Sequence, residues 1–202
     1  MLSTIAVSST GDTGPGTLRA AIERANLDRA QDTITFAPAV TGTITLLSPL
    51  PDLSTDIILS GPGASALTVA RSGAVGTLFT VAGGVEVVSI SGLTITGGSA
   101  GDGGGISNSG TLTLTDCTLS GNSATAGGAG GGISNHGGTM ALTDCTLSGN
   151  SATGGDAAGG IFNFGTLTLT DCTLSGNSAT GVGGFGGAGG GIANSGTMAL
   201  TD

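Results

Sequence analysis

Apolar and hydroxyl-bearing residues alternate along much of this chain. Thr111, Leu112, Thr113, Leu114 and Thr115 follow one another, and after one break in step the order resumes as Cys117, Thr118, Leu119 and Ser120. A period of two sends successive side chains to opposite faces of an extended backbone. The pattern therefore predicts short strands with Leu and Cys inward and Thr and Ser outward. The break at Asp116 and Cys117 predicts a corner between two strands, and a third strand is expected at the glycine run and Ile106 just before the block.

The block recurs. Residues 110–124 (GTLTLTDCTLSGNSA), 138–152 (GTMALTDCTLSGNSA) and 165–179 (GTLTLTDCTLSGNSA) overlay almost letter for letter, and residues 85–100 (VEVVSISGLTITGGSA) form a divergent earlier copy with Leu93 at the Cys position. A unit this short cannot bury its apolar face alone, so copies must stack. Short strands stacked coil on coil at ~4.8 Å make a parallel β-helix, and the crossover preference of parallel strands makes it right-handed. The expected fold is all-β, a single-stranded right-handed parallel β-helix. Equivalent residues then fall in rows. Asn108, Asn135, Asn163 and Asn194 predict one amide ladder, and Asn122, Asn150 and Asn177 predict another. Cys117, Cys145 and Cys172 predict a row of buried free thiols. From the Ala that ends one block to the Ile that opens the next, the spacing is 6, 9, 9 and 13 residues. All length variation is thus expected at one corner, where Asp102, Asp156 and Phe185 are the distinctive residues.

The first third follows another period. Leu18, Ala21, Ile22 and Ala25 share one face of a helix over about 17–27, N-capped by Thr17 behind Pro15 and Gly16. Such a helix would cover the open end of the first coil. Irregular strands are expected at 33–36, 43–47, 56–60, 67–70 and 78–81. Residues 1–75 read as the cap and divergent first coils, and residues 76–202 as the regular coils. The last copy stops at Asp202, one residue before its Cys, so further coils are expected C-terminal to it in a parent chain.

Charge narrows the functions. The net charge is −9, all four Arg lie within the first 71 residues, and Lys, Tyr and Trp are absent. From residue 72 onward there are seven acids and no Lys or Arg, so nothing there can neutralise a phosphate backbone, and nucleic acid is excluded as a partner. No run approaches the ~18 apolar residues of a membrane helix, and no signal peptide is visible at the N-terminus. No membrane insertion by this segment is expected.

The block GDTGPGTLRAAIERANLDRAQDTITFAPAVTGTITLLSPLP, residues 11–51, resembles the N-terminal cap of bacterial secreted proteins with right-handed parallel β-helix repeats, the pectate-lyase-like solenoids. The repeats resemble those of the polymorphic outer membrane proteins, whose motifs are GGA[ILV] and FxxN. Residues 103–106, 130–133 and 189–192 carry the first motif with Gly in place of Ala, and residues 119–122 and their copies carry the second with Leu in place of Phe. The resemblance covers almost the whole chain. It implies export and display on a bacterial surface, and it implies no reaction.

Candidate chemistry is sparse, and neither catalytic residues nor cofactors are expected. His136 sits in a turn with no partner fixed by a motif. Residues 97–101 match a nucleophile elbow and residues 181–186 a dinucleotide fingerprint, but neither leads into a predicted helix. Asp102 is the one calcium candidate, because residues 97–102 resemble a GGxGxD turn with Ala100 in place of Gly. A polyuronate lyase needs bases that the repeats lack. A hydrolase needs converging carboxylates, whereas Asp116, Asp144 and Asp171 repeat along a row. Outward Thr111, Thr113, Thr115, Thr139, Thr143, Thr166, Thr168 and Thr170, with Thr118, Ser120 and their copies on the adjoining face, form the candidate binding surface, and regular Thr rows look like the face of solenoid antifreeze proteins. The expected function is a non-catalytic structural or adhesin-like segment of a larger secreted or surface-displayed protein that contacts a protein, a glycan or ice. The alternatives are ice or polysaccharide binding through the Thr rows, and a polysaccharide lyase or hydrolase whose active site lies outside this segment.

Overall fold

In the computed structural model the described residues are 3–73, 76–125, 129–154, 157–180 and 189–201. The alternating segments form strands, and the strands stack in parallel into a β-solenoid with four sheets along its length. One repeat shows how the sequence does this. Ile106–Asn108, Thr111–Thr115, Thr118–Ser120 and Ser123–Ala124 are four successive strands, each belonging to a different sheet. The coil therefore has four strands where three were expected. The extra one is too short to display a period, yet Ser123 pairs with Ser151 and Ala124 with Ala152 in the same parallel register.

An eight-strand sheet, the long sheet, runs from Ser3–Val7 through Asp32–Phe36, Ile57–Ser60, Val88–Ser91, Thr111–Thr115, Thr139–Thr143 and Thr166–Thr170 to Thr197–Thr201. A six-strand sheet stacks Gly42–Leu46, Leu67–Arg71, Thr94–Thr96, Thr118–Ser120, Thr146–Ser148 and Thr173–Ser175. A five-strand sheet begins at Phe79–Val81 and carries the Ile-x-Asn strands up to Ile192–Asn194, and a four-strand sheet carries the Ser-Ala strands. Inward residues from these sheets make one core. Ile34, Leu59, Ile90, Leu114, Leu142 and Leu169 form a single column in register, and all are buried.

The break in alternation is a true corner. Asp116, Asp144 and Asp171 have φ of 51°, 52° and 50°, and among the described residues they are the non-glycine positions in the left-handed region. Gly92 takes the same corner in the divergent copy at φ 60°. Asp tolerates this conformation better than most side chains, and each Asp N–H donates across to a Thr carbonyl of the next coil at 3.1 Å. At the glycine runs the demand is for close approach, since a Cβ on Gly131 would collide with the backbone oxygens of Ser151 and Gly159. A one-residue insertion, Gly137 at φ 82°, lies between Asn135 and Thr139. Length variation is therefore not confined to one corner.

The helix is Leu18–Ala25, with Thr17 Oγ1 accepting from the Ala20 N–H at 3.3 Å and Leu18, Ala21, Ile22 and Ala25 buried. It packs on Ser3–Val7 and Asp32–Phe36. The Ser3–Val7 strand was not expected, because three apolar letters before a polar turn show too little period. The helix is thus an insertion between the first two strands of the long sheet. Arg19 ties it down by pairing with Asp12 at 2.6 Å and donating to the Ser48 carbonyl at 2.9 Å. Among the described residues no helix is long and apolar enough to cross a membrane.

Candidate functional site

Stacking turns each repeat position into a row, and the rows differ in chemistry. Asn108, Asn135, Asn163 and Asn194 lie one above another, each Nδ2 donating to the next Oδ1 at 2.8, 2.7 and 2.6 Å. Asn122, Asn150 and Asn177 do the same at 3.0 and 2.9 Å, and they also tie down backbone groups of adjoining coils. Asn108, Asn122, Asn135, Asn150 and Asn163 are fully buried. A buried amide is tolerated only when its donors and acceptors are used, and here the amides link coil to coil.

Cys117, Cys145 and Cys172 form the inward row beside the Asp corner and are free thiols. Each donates to the carbonyl two residues before it, at 3.3, 3.2 and 3.2 Å. The thiol of Cys145 is held well above its ordinary range, first by its hydrogen bond with Cys117 and then by burial. The same bond draws Cys117 downward while burial opposes it. Among the described residues no group of three His, Cys, Asp or Glu could hold a metal ion.

The long-sheet threonines project outward and are half-buried or exposed. Thr111, Thr139 and Thr166 share one row, and Thr115, Thr143 and Thr170 another. The middle row is broken, because Ala141 stands between Thr113 and Thr168, and Ala199 follows. Asp116, Asp144 and Asp171 line the exposed corner beside these rows. Asp102 is exposed, and its carboxylate accepts from the Ala129 N–H at 2.9 Å, so it closes a turn of the neighbouring coil. The Ser99–Ala100 strand occupies the elbow-like match at 97–101, without a following helix. Asp156, Phe185 and the match at 181–186 lie outside the described residues.

Three features escaped the sequence. Ser134 Oγ lies 3.0 Å from His136 Nε2, giving the histidine a partner that no motif predicted. The two residues stand on alternate positions of one strand end, which puts them on one side. Phe162 is the ladder neighbour of Ser134, and Phe164 is 63% exposed, so an aromatic and imidazole patch breaks the small-residue wall of the five-strand sheet. At the cap, Asn26, Asp28, Arg29, Asp56 and Glu86 line an open polar cleft of about 720 Å³. No protein-family model matches the chain, and no curated protein matches it significantly.

Proposed function

We propose that the chain is a non-catalytic solenoid module, a stiff spacer and contact surface within a larger secreted or surface-displayed bacterial protein. The observation that carries this reading is the continuity of the ladders. One parallel sheet extends from Ser3 to Thr201, and two buried amide ladders lock the regular coils together. The amides of both ladders are spent inside, while the outer faces of the long and six-strand sheets present mainly uncharged hydroxyls with Asp along one corner. The resemblance of the Gly-Gly-Gly-Ile and Leu-Ser-Gly-Asn blocks to polymorphic outer membrane protein repeats supports display on a cell.

Two measurements test the proposal together. Antibodies raised against the purified chain should label intact source cells, and the chain incubated with neutral and acidic polysaccharides should release no reducing ends and no unsaturated products. Labelling only after lysis would overturn display, and turnover of any polysaccharide would overturn the non-catalytic reading.

A further inference from the structure

The six-strand sheet carries a regularity that copying of the repeat does not explain. In register, Thr43, Thr68, Thr94, Thr118, Thr146 and Thr173 form an unbroken row of six threonines. Two residues along each strand a second row reads Thr45, Ala70, Thr96, Ser120, Ser148 and Ser175, with hydroxyls at five of six places. Only the last three coils are near-copies. In the first three the surrounding letters change, and the inward neighbour passes from Ile44 to Val69 to Ile95 before settling on Leu119. The threonine does not change. The middle row of the long sheet behaves differently, taking Ile58, Ser89, Ala141 and Ala199 among its threonines.

The two rows make a lattice. Coils repeat at ~4.8 Å along each row, and the rows are ~7 Å apart, two residues of extended chain. Every member is half-buried or exposed and none is charged. Thr94 Oγ1 donates to the Ala64 carbonyl at 2.7 Å. The other five threonine hydroxyls of the unbroken row make no hydrogen bond to described residues, which leaves them for water. A threonine offers one hydroxyl, which can both donate and accept, beside one methyl. Fixed at a regular spacing, many such weak contacts add up only for a ligand with a regular spacing of its own. A sugar chain would want an aromatic platform, and neither row holds an aromatic side chain. A charged polymer would want charge.

We propose that the outer face of the six-strand sheet binds ice, its two hydroxyl rows holding water in the array of a crystal plane. This goes beyond the spacer reading and does not depend on it. The test is partition of the purified chain into a slowly growing ice hemisphere, with thermal hysteresis measured alongside. Thr118→Lys and Thr146→Lys break the lattice at its centre, and Thr168→Lys places the same charge on the long sheet. Far-UV circular dichroism and melting curves identify any variant that fails to fold, and Thr173→Lys, at an exposed site, is the replacement in that event. The proposal expects enrichment of the wild-type chain and of Thr168→Lys in ice, with loss of both enrichment and hysteresis for the six-strand variants. Exclusion of the wild-type chain from ice would overturn it, as would equal loss in Thr168→Lys. Retention on crystalline cellulose without retention in ice would assign the face to a glycan instead. None of these results touches the cell-surface and turnover tests of the spacer reading.

Discussion

Thr139–Thr143 and Thr197–Thr201 are the same five residues, Thr-Met-Ala-Leu-Thr. In the inner coil Met140 and Leu142 are 1% and 0% exposed, whereas in the outer one Met198 and Leu200 are 37% and 65% exposed. Both strands have the same geometry and sit in the same sheet; what differs is the coil above. In a stacked array burial belongs to the interface between neighbours, so a residue's worth depends on its position in the stack more than on its letter. The opposite end of the stack is built otherwise. There the helix Leu18–Ala25 lays Leu18, Ile22 and Ala25, all 0% exposed, over the first coil.

The strongest way to break the comparison is to delete the same leucine from both coils. Leu142→Ala removes a side chain enclosed by coils on both sides and should cost about 2–5 kcal/mol. Leu200→Ala removes one that is largely in water already and should cost under about 1 kcal/mol. Urea unfolding followed by far-UV circular dichroism measures both. Equal losses would mean that residue type, not position in the stack, governs stability.

The amide ladder allows a finer test. Asn135 accepts from Asn108 and donates to Asn163 and to the Gly138 carbonyl, all in the dry core. Asn135→Ala strands those partners away from water and should cost roughly 1–3 kcal/mol. Asn194 is the exposed end of the same ladder, donating to the Gly196 carbonyl and accepting from Asn163. Water can replace it, so Asn194→Ala should cost under about 1 kcal/mol in the same assay. A larger loss at Asn194 than at Asn135 would reverse the gradient.

These contrasts also mark what could be read from the letters. A nearly exact repeat with period two makes the stack legible, because equivalent residues must meet their own kind. The asparagine pairs and the inward thiols follow from that alone, and the helix face at Leu18, Ala21, Ile22 and Ala25 follows from its spacing. The strands Ser3–Val7 and Ser123–Ala124 do not, since two to five residues carry too little periodicity and are held by pairing with neighbours. The row of six threonines was hidden for a related reason. Thr43 and Thr68 lie in coils whose letters no longer match the repeat, and only the hydrogen-bond register brings them into line with Thr118. Ser134 and His136 meet because a strand end and its turn place alternate residues on one side, a juxtaposition without a motif.

The thiol row gives the smallest effect and the sharpest reading of position. Cys145 is 1% exposed, whereas Cys172 is half-buried and borders an opening of about 350 Å³ lined by Leu169, Leu174, Ile192 and Leu200. A disulfide reagent should therefore modify Cys172 first, while Cys117 and Cys145 react only on unfolding. Labelling of all three at one rate in the folded chain would contradict the gradient. The acidity of Cys145 adds a dependence on pH. In the unfolded chain this thiol ionises near its ordinary value of 9.0, whereas the folded chain, through the bond with Cys117 and burial, keeps the proton. Above that pH the unfolded state holds fewer protons than the folded one, so the contribution of Cys145 is fully present below pH 9 and falls as the pH rises. The slope can reach about 1.4 kcal/mol per pH unit. Cys117, drawn downward by the same bond, contributes with the opposite sign below pH 9, so urea unfolding at pH 9 and pH 11 should show this loss in the wild-type chain and a shallower one in Cys145→Ala. A wild-type chain that grew more stable over that interval would mean that the thiol ionises more readily inside the core than in water.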